Sequence, residues 1–420
     1  MTRARSTADR YASWRILGHR RFRLYFLASM ISNLGTWLQN TAQMLLAYQL
    51  THSAFAVGLI TAAQFSGFLV LGPWAGKLAD RMGQKRVLIA TQLLSALVAA
   101  ALAAVQISGR LTENELICGA LGTGLALTFA VPIQSAMVSV LVPERHTRAA
   151  MAMNSVSYNA GRTLAPVLYL VVLTSVGAEW AFAMNAASFV LFAVTVATLY
   201  PYEPTPEARP AQAWSGLRLA VHRPRIMLLL AMVAAITIAD DPILVLGPSV
   251  AHQLLRVSST WPAFFLSGLG LGTVLGVLLP FHPVMTRAAA IALGVLGLSV
   301  LVFALGISAW LSLAATIVAG TAALVTGASA QTMLLHSVSQ QHATQVMALW
   351  AVAWAGSKPI ASLADGWLAS GPGVRWAAGI LVTPAIVVAI LELMLGDKPR
   401  HRLRNLLHRY RAARSAAWLS

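Results

Sequence analysis

The chain has 420 residues, of which 58% are hydrophobic and 10% charged, against about 25% charged in an ordinary soluble domain. That excludes a disordered chain and argues against a soluble globular enzyme. The net charge of +17 would fit a nucleic-acid binder if it lay on one soluble face, so its location along the chain has to be settled first.

A basic, polar segment of about 23 residues comes first, without the apolar centre or cleavage site of a signal peptide, so the first helix is expected to direct insertion. Twelve apolar stretches follow, near 22–47, 54–76, 87–107, 115–140, 150–174, 178–200, 226–250, 260–281, 288–306, 308–334, 344–369 and 374–396. A helical span of the hydrocarbon core takes about 20 apolar residues. The pattern therefore predicts an all-α, multi-pass membrane protein of twelve transmembrane helices. The longest break, 201–225, is rich in proline, glutamate and arginine and reads as a linker. It divides the chain into a six-helix bundle with a basic tail over 1–200 and a second bundle over 226–396, followed by a basic tail over 397–420. That tail alternates Arg400, Arg402 and Arg404 with Leu403, Leu406 and Leu407, as an amphipathic helix on an anionic leaflet or a solvated tail would. The lone Cys118 can form no intramolecular disulfide and reads as a small buried thiol.

The halves resemble each other. Met151-Ala152-Met153 matches Met347-Ala348-Leu349, 196 residues on, and in the same register Tyr158 meets Trp354, Arg162 meets Lys358 and Ala165 meets Ala361. Two parallel repeats with a site between them is a transporter layout. With the N-terminus inside, 25 of the 30 basic residues fall on one side of the spans and three on the other. This predicts cytoplasmic N- and C-termini. The charge then reports topology and attraction to an anionic inner leaflet, and no nucleic-acid partner is expected. Abundant alanine and a large excess of arginine over lysine suggest a high-GC bacterium, hence its cytoplasmic membrane.

After the second span comes Gly76-Lys77-Leu78-Ala79-Asp80-Arg81-Met82-Gly83-Gln84-Lys85-Arg86. It resembles the loop between helices 2 and 3 of the major facilitator superfamily, with Gln84 in place of an arginine. The resemblance implies two pseudo-symmetric six-helix bundles and a conformational-switch loop built on Gly76, Asp80, Arg81, Gly83, Lys85 and Arg86. The glycines permit a tight turn and Asp80 suits a helix N-terminus. Pro132-Ile133-Gln134-Ser135-Ala136, Leu141-Val142-Pro143-Glu144, Ala152-Met153-Asn154-Ser155 and Asn185-Ala186-Ala187-Ser188-Phe189 resemble the siderophore, macrolide and multidrug exporter branch. Two features depart from such exporters: span 4 holds no basic residue, and the glycines expected around Pro166 in span 5 are absent.

Ionisable groups inside spans are costly and mark function by default. Asp240 and Asp241 lie about 22 Å into helix 7, at comparable depth to Arg162 and Lys358. These four are the proton-coupling candidates. Adjacent residues point about 100° apart on a helix, so at most one of the two aspartates faces a central cavity squarely. Pro242 is expected to kink or break helix 7. A static buried ion pair competes with proton exchange, and Lys358 could instead bridge Asp365 two turns on. Glu392 reads as reaching the interface.

The resemblance implies that helices 1, 4, 7 and 10 line the path, with 2, 5, 8 and 11 beside them. Candidate cavity residues are Asn33, Trp37, Asn40 and Gln43 on helix 1, Gln64 on helix 2, Phe129 on helix 4, and Trp350 and Trp354 on helix 11. Amides within a span serve either a cavity or helix–helix hydrogen bonds. Aromatic and amide linings suit an amphiphilic organic molecule. No metal site, cofactor or catalytic residue is expected, nor an ATP-binding motif. These readings make the chain a monomeric, proton-coupled exporter of a drug, siderophore or secondary metabolite. A proton-coupled importer and a non-transporting scaffold or sensor are the alternatives.

Overall fold

The computed structural model describes residues 16–72, 74, 81–143, 146–199, 220–278, 286–338 and 340–395. The described residues are helical, without strands. In chain order the first six helices are α1 (Arg20–Thr51), α2 (Ala54–Val70), α3 (Gln84–Ile107), α4 (Glu113–Val140), α5 (Thr147–Ser175) and α6 (Glu179–Leu199). The next six are α7 (Pro224–Val245), α8 (Trp261–Leu278), α9 (Thr286–Leu305), α10 (Ala309–His336), α11 in two pieces (Gln340–Ala355 and Ser357–Ser370) and α12 (Val374–Leu395). Tails 1–15 and 396–420, linker residues 200–219, and Gly76 and Asp80 of the signature loop lie outside the described residues.

Local chemistry sets the helix ends. The Ser53 hydroxyl accepts from Ala56 N–H to start α2, and the Ser308 hydroxyl accepts from Leu311 N–H to start α10. At α4 the Thr112 N–H donates to the Glu115 carboxylate at 2.9 Å, half of a capping box. Gly83, at φ +85°, turns the chain into α3, and glycine adopts that backbone without a Cβ clash. Pro242 does not stop α7. The Pro242 carbonyl still accepts from Leu246 N–H at 3.0 Å, and the regular helix ends just after, giving way to Gly247–Ser249 and a wider turn over Val250–Leu255. Proline removes one donor, and the packed neighbours of a buried helix tolerate that loss.

The two halves repeat the same packing. In the first, α1 packs on α5 and α6, α2 on α4, α3 on α4 and α6; in the second, α7 packs on α11 and α12, α8 on α10, α9 on α10 and α12. Outward faces are apolar: Leu97 of α3 is 68% exposed and Leu298 of α9 is 62% exposed. Such faces suit lipid, not water. Seven helices satisfy length and hydropathy for a span outright. Helices α1, α5 and α11 are more polar, and all three reach the central cavity. Cys118 is exposed on this outer surface of α4, contrary to the buried thiol expected.

The halves meet along two seams related by the repeat, α2 against α11 and α5 against α8. At the α2–α11 seam a Cβ on Gly58 would collide with the Ser362 carbonyl, and one on Gly366 would lie 2.6 Å from the Phe55 Cα. Only glycine permits this approach. Gly58→Val is expected to hold the seam apart, since overpacking costs about 1–3 kcal/mol. With Cys118→Ala as background, Ala54→Cys, at a position buried against Gly366 in the seam, should label several-fold faster in Gly58→Val, and unchanged labelling would show the seam to be already open.

Candidate functional site

The repeat carries the two intramembrane cations to matching positions, Arg162 on α5 and Lys358 just past the α11 break. Both converge on α7. Arg162 Nη2 lies 3.2 Å from Asp240 Oδ2, and Lys358 Nζ lies 3.3 Å from Asp240 Oδ1 and 2.6 Å from Asp241 Oδ1. Ser362 Oγ donates to Asp241 Oδ2 at 2.6 Å. The 100° offset is resolved by this network: Asp240 faces the cavity, while Asp241 is fully buried and turned to α11. The Arg162–Asp240 pair joins one half to the other. Lys358 pairs with α7, not with Asp365 as one sequence reading allowed.

The cavity beside this network has a volume of about 850 Å³ including its open part. Its walls come from α1, α2, α5, α7, α8 and α11, and include Trp37, Asn40, Gln43, Gln64, Arg162, Asp240, Trp354 and Lys358. Gln64 Nε2 donates to Asn40 Oδ1 at 2.8 Å, fixing two amides at the rim. The Arg162 guanidinium sits 5.8 Å from the Trp37 ring centroid, a cation–π approach. Trp37 meets Tyr158 edge-on at 5.7 Å, and Phe65 meets Trp354 edge-on at 6.4 Å. Tyr158 and Trp354 each lie one turn before their cation, which is the signal by which the internal repeat could have marked Tyr158 as a wall residue.

Three cavity candidates lie elsewhere. Asn33 Nδ2 donates to Ser157 Oγ at 2.9 Å and ties α1 to α5. Phe129 packs into a core with Phe22 and Tyr25. Trp350 stacks on Trp354 at 6.2 Å but is not among the cavity wall residues, and its indole N–H is buried without a hydrogen-bond partner among the described residues. Among the described residues, helices α4 and α10 contribute no wall residue either. The cause is close packing: a Cβ on Gly124 would strike the Gln64 carbonyl, and one on Gly320 the Leu269 carbonyl. These contacts seat α4 behind α2 and α10 behind α8. Gln39, not singled out in the sequence, accepts from Asn185 Nδ2 at 2.8 Å and bonds Gln43, which in turn donates to the Leu116 carbonyl. Part of the α1 amide set thus serves helix packing.

At the end of the bundle where α1 finishes, side chains from both halves meet in one cluster. His52 stacks on His252 at 5.9 Å, Tyr48 meets both rings, and Gln253 Nε2 donates to Tyr48 Oη at 3.4 Å. At the other end, the described part of the signature loop holds Arg81 and Arg86 exposed, and Lys85 Nζ donates to the Ala197 carbonyl at 3.0 Å, pinning α3 to α6. Glu392 does not reach the interface. Its side chain is fully buried, and Arg225 Nη1 holds both carboxylate oxygens, at 2.7 and 2.8 Å.

Known proteins resemble the chain in sequence and in fold. The chain is 26% identical over 270 residues to the enterobactin exporter of Shigella flexneri, 62% of each chain, so the match spans less than two thirds of that relative. It is 28% identical over 165 residues to an MFS-type transporter of Bacillus subtilis, 39% of this chain and 38% of the other. A solved bacterial homolog of the human lysosomal transporter Spinster, inward-facing and occupied, superposes with a TM-score of 0.70 at 14% identity, over 89% of this chain and 95% of that one. The human organic anion transporter MFSD10 superposes with a TM-score of 0.63 at 17% identity, over 89% of this chain and 99% of that one. The family profile of the Major Facilitator Superfamily matches residues 25–357. Repeated helical halves and the profile match together settle the family: the chain belongs to the major facilitator superfamily.

Proposed function

We propose that this transporter exports a small amphiphilic organic molecule in exchange for protons, by alternating access between bundles 1–200 and 226–396. One observation carries the reading. Asp240, on the second half, faces the cavity and is held at once by Arg162 of the first half and Lys358 of the second. Protonating Asp240 removes the charge that ties the halves together and frees both cations. Deprotonation restores the tie. A proton and an anionic group of the substrate then compete for one set of charges, which is what exchange needs. Aromatic walls at Trp37, Tyr158, Phe65 and Trp354 suit a flat or hydrophobic body. The enterobactin exporter among the relatives supports outward transport and a siderophore as one candidate cargo.

The bias of the basic residues supports a cytoplasmic position for the end at which α1 begins and for both termini. The His52–His252 cluster then closes the outer side of a monomeric transporter in the bacterial cytoplasmic membrane. The loop of Gly76, Asp80, Arg81, Gly83, Lys85 and Arg86 acts as the cytoplasmic switch.

Everted vesicles test direction and coupling together, with enterobactin and a fluorescent amphiphilic dye as probes. An inside-acid gradient is expected to drive accumulation of at least one probe, several-fold above vesicles carrying Asp240→Asn. Efflux of preloaded probe under the same gradient would identify an importer. No movement of either probe, relative to Asp240→Asn, would count against proton exchange at this site.

A further inference from the structure

Asp365 is a buried ionisable group that the exchange scheme does not use. Its side chain is inaccessible to solvent, and neither carboxylate oxygen has a hydrogen-bond partner among the described residues. It lies on the second piece of α11, three residues after Ser362 and seven after Lys358, so the three share one helical face. That face meets α7, where Lys358 and Ser362 hold Asp241. The next residue, Gly366, presses directly on Phe55 of α2 at the seam between the halves.

The surrounding charges are already matched. Asp240 and Asp241 on α7 and Lys358 on α11 are the charged groups that act on Asp365. Arg162 and Lys358 balance Asp240 and Asp241 pair for pair. Helix α2, which packs on this piece of α11 from the first half, carries no ionisable residue. On α12, Arg375 is bonded to the Leu305 carbonyl at one end and Glu392 to Arg225 near the other. A third buried carboxylate here would be an anion with neither counter-ion nor donor, which a protein interior does not sustain.

We propose that Asp365 is a second proton-binding site, holding a dissociable proton while the α2–α11 seam is closed and releasing it to water when that seam opens. In the release step an O–H bond of the Asp365 carboxyl breaks, the proton passes to a water entering the seam, and the carboxylate left behind is stabilised by that water. Closing the seam reverses the step. Asp365 thereby reads the state of the seam, and Asp240 that of the cavity. The coupling role of this proton rests on the exchange reading above; the presence of the proton does not.

Infrared spectroscopy of the purified full-length protein in lipid tests it without a substrate. The neutral carboxylic acid C=O band should be present at neutral pH and shift in D2O. Asp365→Asn, which keeps the shape of the neutral acid, should lose one such band, whereas Asp240→Asn and Asp241→Asn should keep it. Asp365→Glu should shift the band, which keeps the test open if the asparagine variant fails to fold. Absence of the band in the parent, or a band unchanged in both Asp365 variants, overturns the site. Loss of the band in Asp365→Asn with vesicle transport undisturbed would leave the proton site standing and remove its part in coupling.

Discussion

Lys358→Ala is expected to destabilise the folded transporter by about 3–5 kcal/mol and to abolish transport, the usual cost of removing one partner from a buried ion pair. The side chain of Lys358 is 11% exposed and serves two carboxylates at once, Asp240 at 3.3 Å and Asp241 at 2.6 Å. Without it Asp241 keeps only the Ser362 hydroxyl, and Asp240 keeps only Arg162. Most of the penalty falls on Asp241, which is fully buried and has no other cation among the described residues. The double variant Lys358→Ala/Asp241→Ala should therefore recover much of the lost stability without recovering transport. Thermal denaturation of the detergent-solubilised protein measures the first effect and vesicle accumulation the second. Equal stabilities for the parent and Lys358→Ala would show the network to be wet and screened.

Arg162→Ala separates the roles of the two cations. Arg162 is more open to the cavity, with 24% of its side chain exposed, and among the described residues it pairs with one carboxylate, Asp240. Its loss removes the ionic tie between the halves but leaves Asp241 fully bonded. The stability cost should accordingly be smaller than for Lys358, while transport should suffer as much.

The spans themselves were plain in the sequence, because lipid demands apolar stretches of fixed length and the breaks carry turn residues. The match of Arg162 to Lys358 was also readable, since the repeat preserved the residues around both. Rotation about each helix axis was not. Which aspartate meets the cavity depends on how α7 is turned by α11 and α12, and a single sequence holds no information on that. The same blindness placed Phe129 in the cavity, when close glycine contacts set α4 behind α2. Amides on α1 were ambiguous for a physical reason. Asn40 bonds Gln64 of α2 at the cavity wall, whereas Asn33 and Gln39 bond α5 and α6, and the three look alike along the chain. Glu392 misled because carboxylates near span ends commonly reach water, and its partner, Arg225, lies 167 residues away.

That distant pair carries the other large effect. Arg225 begins α7 and Glu392 lies near the finish of α12, so their bond clamps together two helices of the second half. The Glu392 side chain is 0% exposed and that of Arg225 is 38% exposed. The carboxylate is therefore desolvated while the guanidinium is partly solvated. Arg225→Ala strands the buried anion and should destabilise the protein by about 3 kcal/mol, near the lower limit for a broken buried pair because water can reach the vacated space. Both carboxylate oxygens are held by one nitrogen, Nη1, at 2.7 and 2.8 Å, so the two-pronged geometry peculiar to arginine is not used here. A lysine ammonium can offer the same single point of charge. Arg225→Lys should accordingly keep most of the stability, within about 1 kcal/mol of the parent, whereas at a true two-pronged pair it would fail. Glu392→Leu, which removes the anion altogether, should be milder than Arg225→Ala. The order parent, Arg225→Lys, Glu392→Leu, Arg225→Ala in thermal midpoint is the expected result. An Arg225→Ala midpoint equal to that of the parent would mean that Glu392 has another partner or reaches solvent.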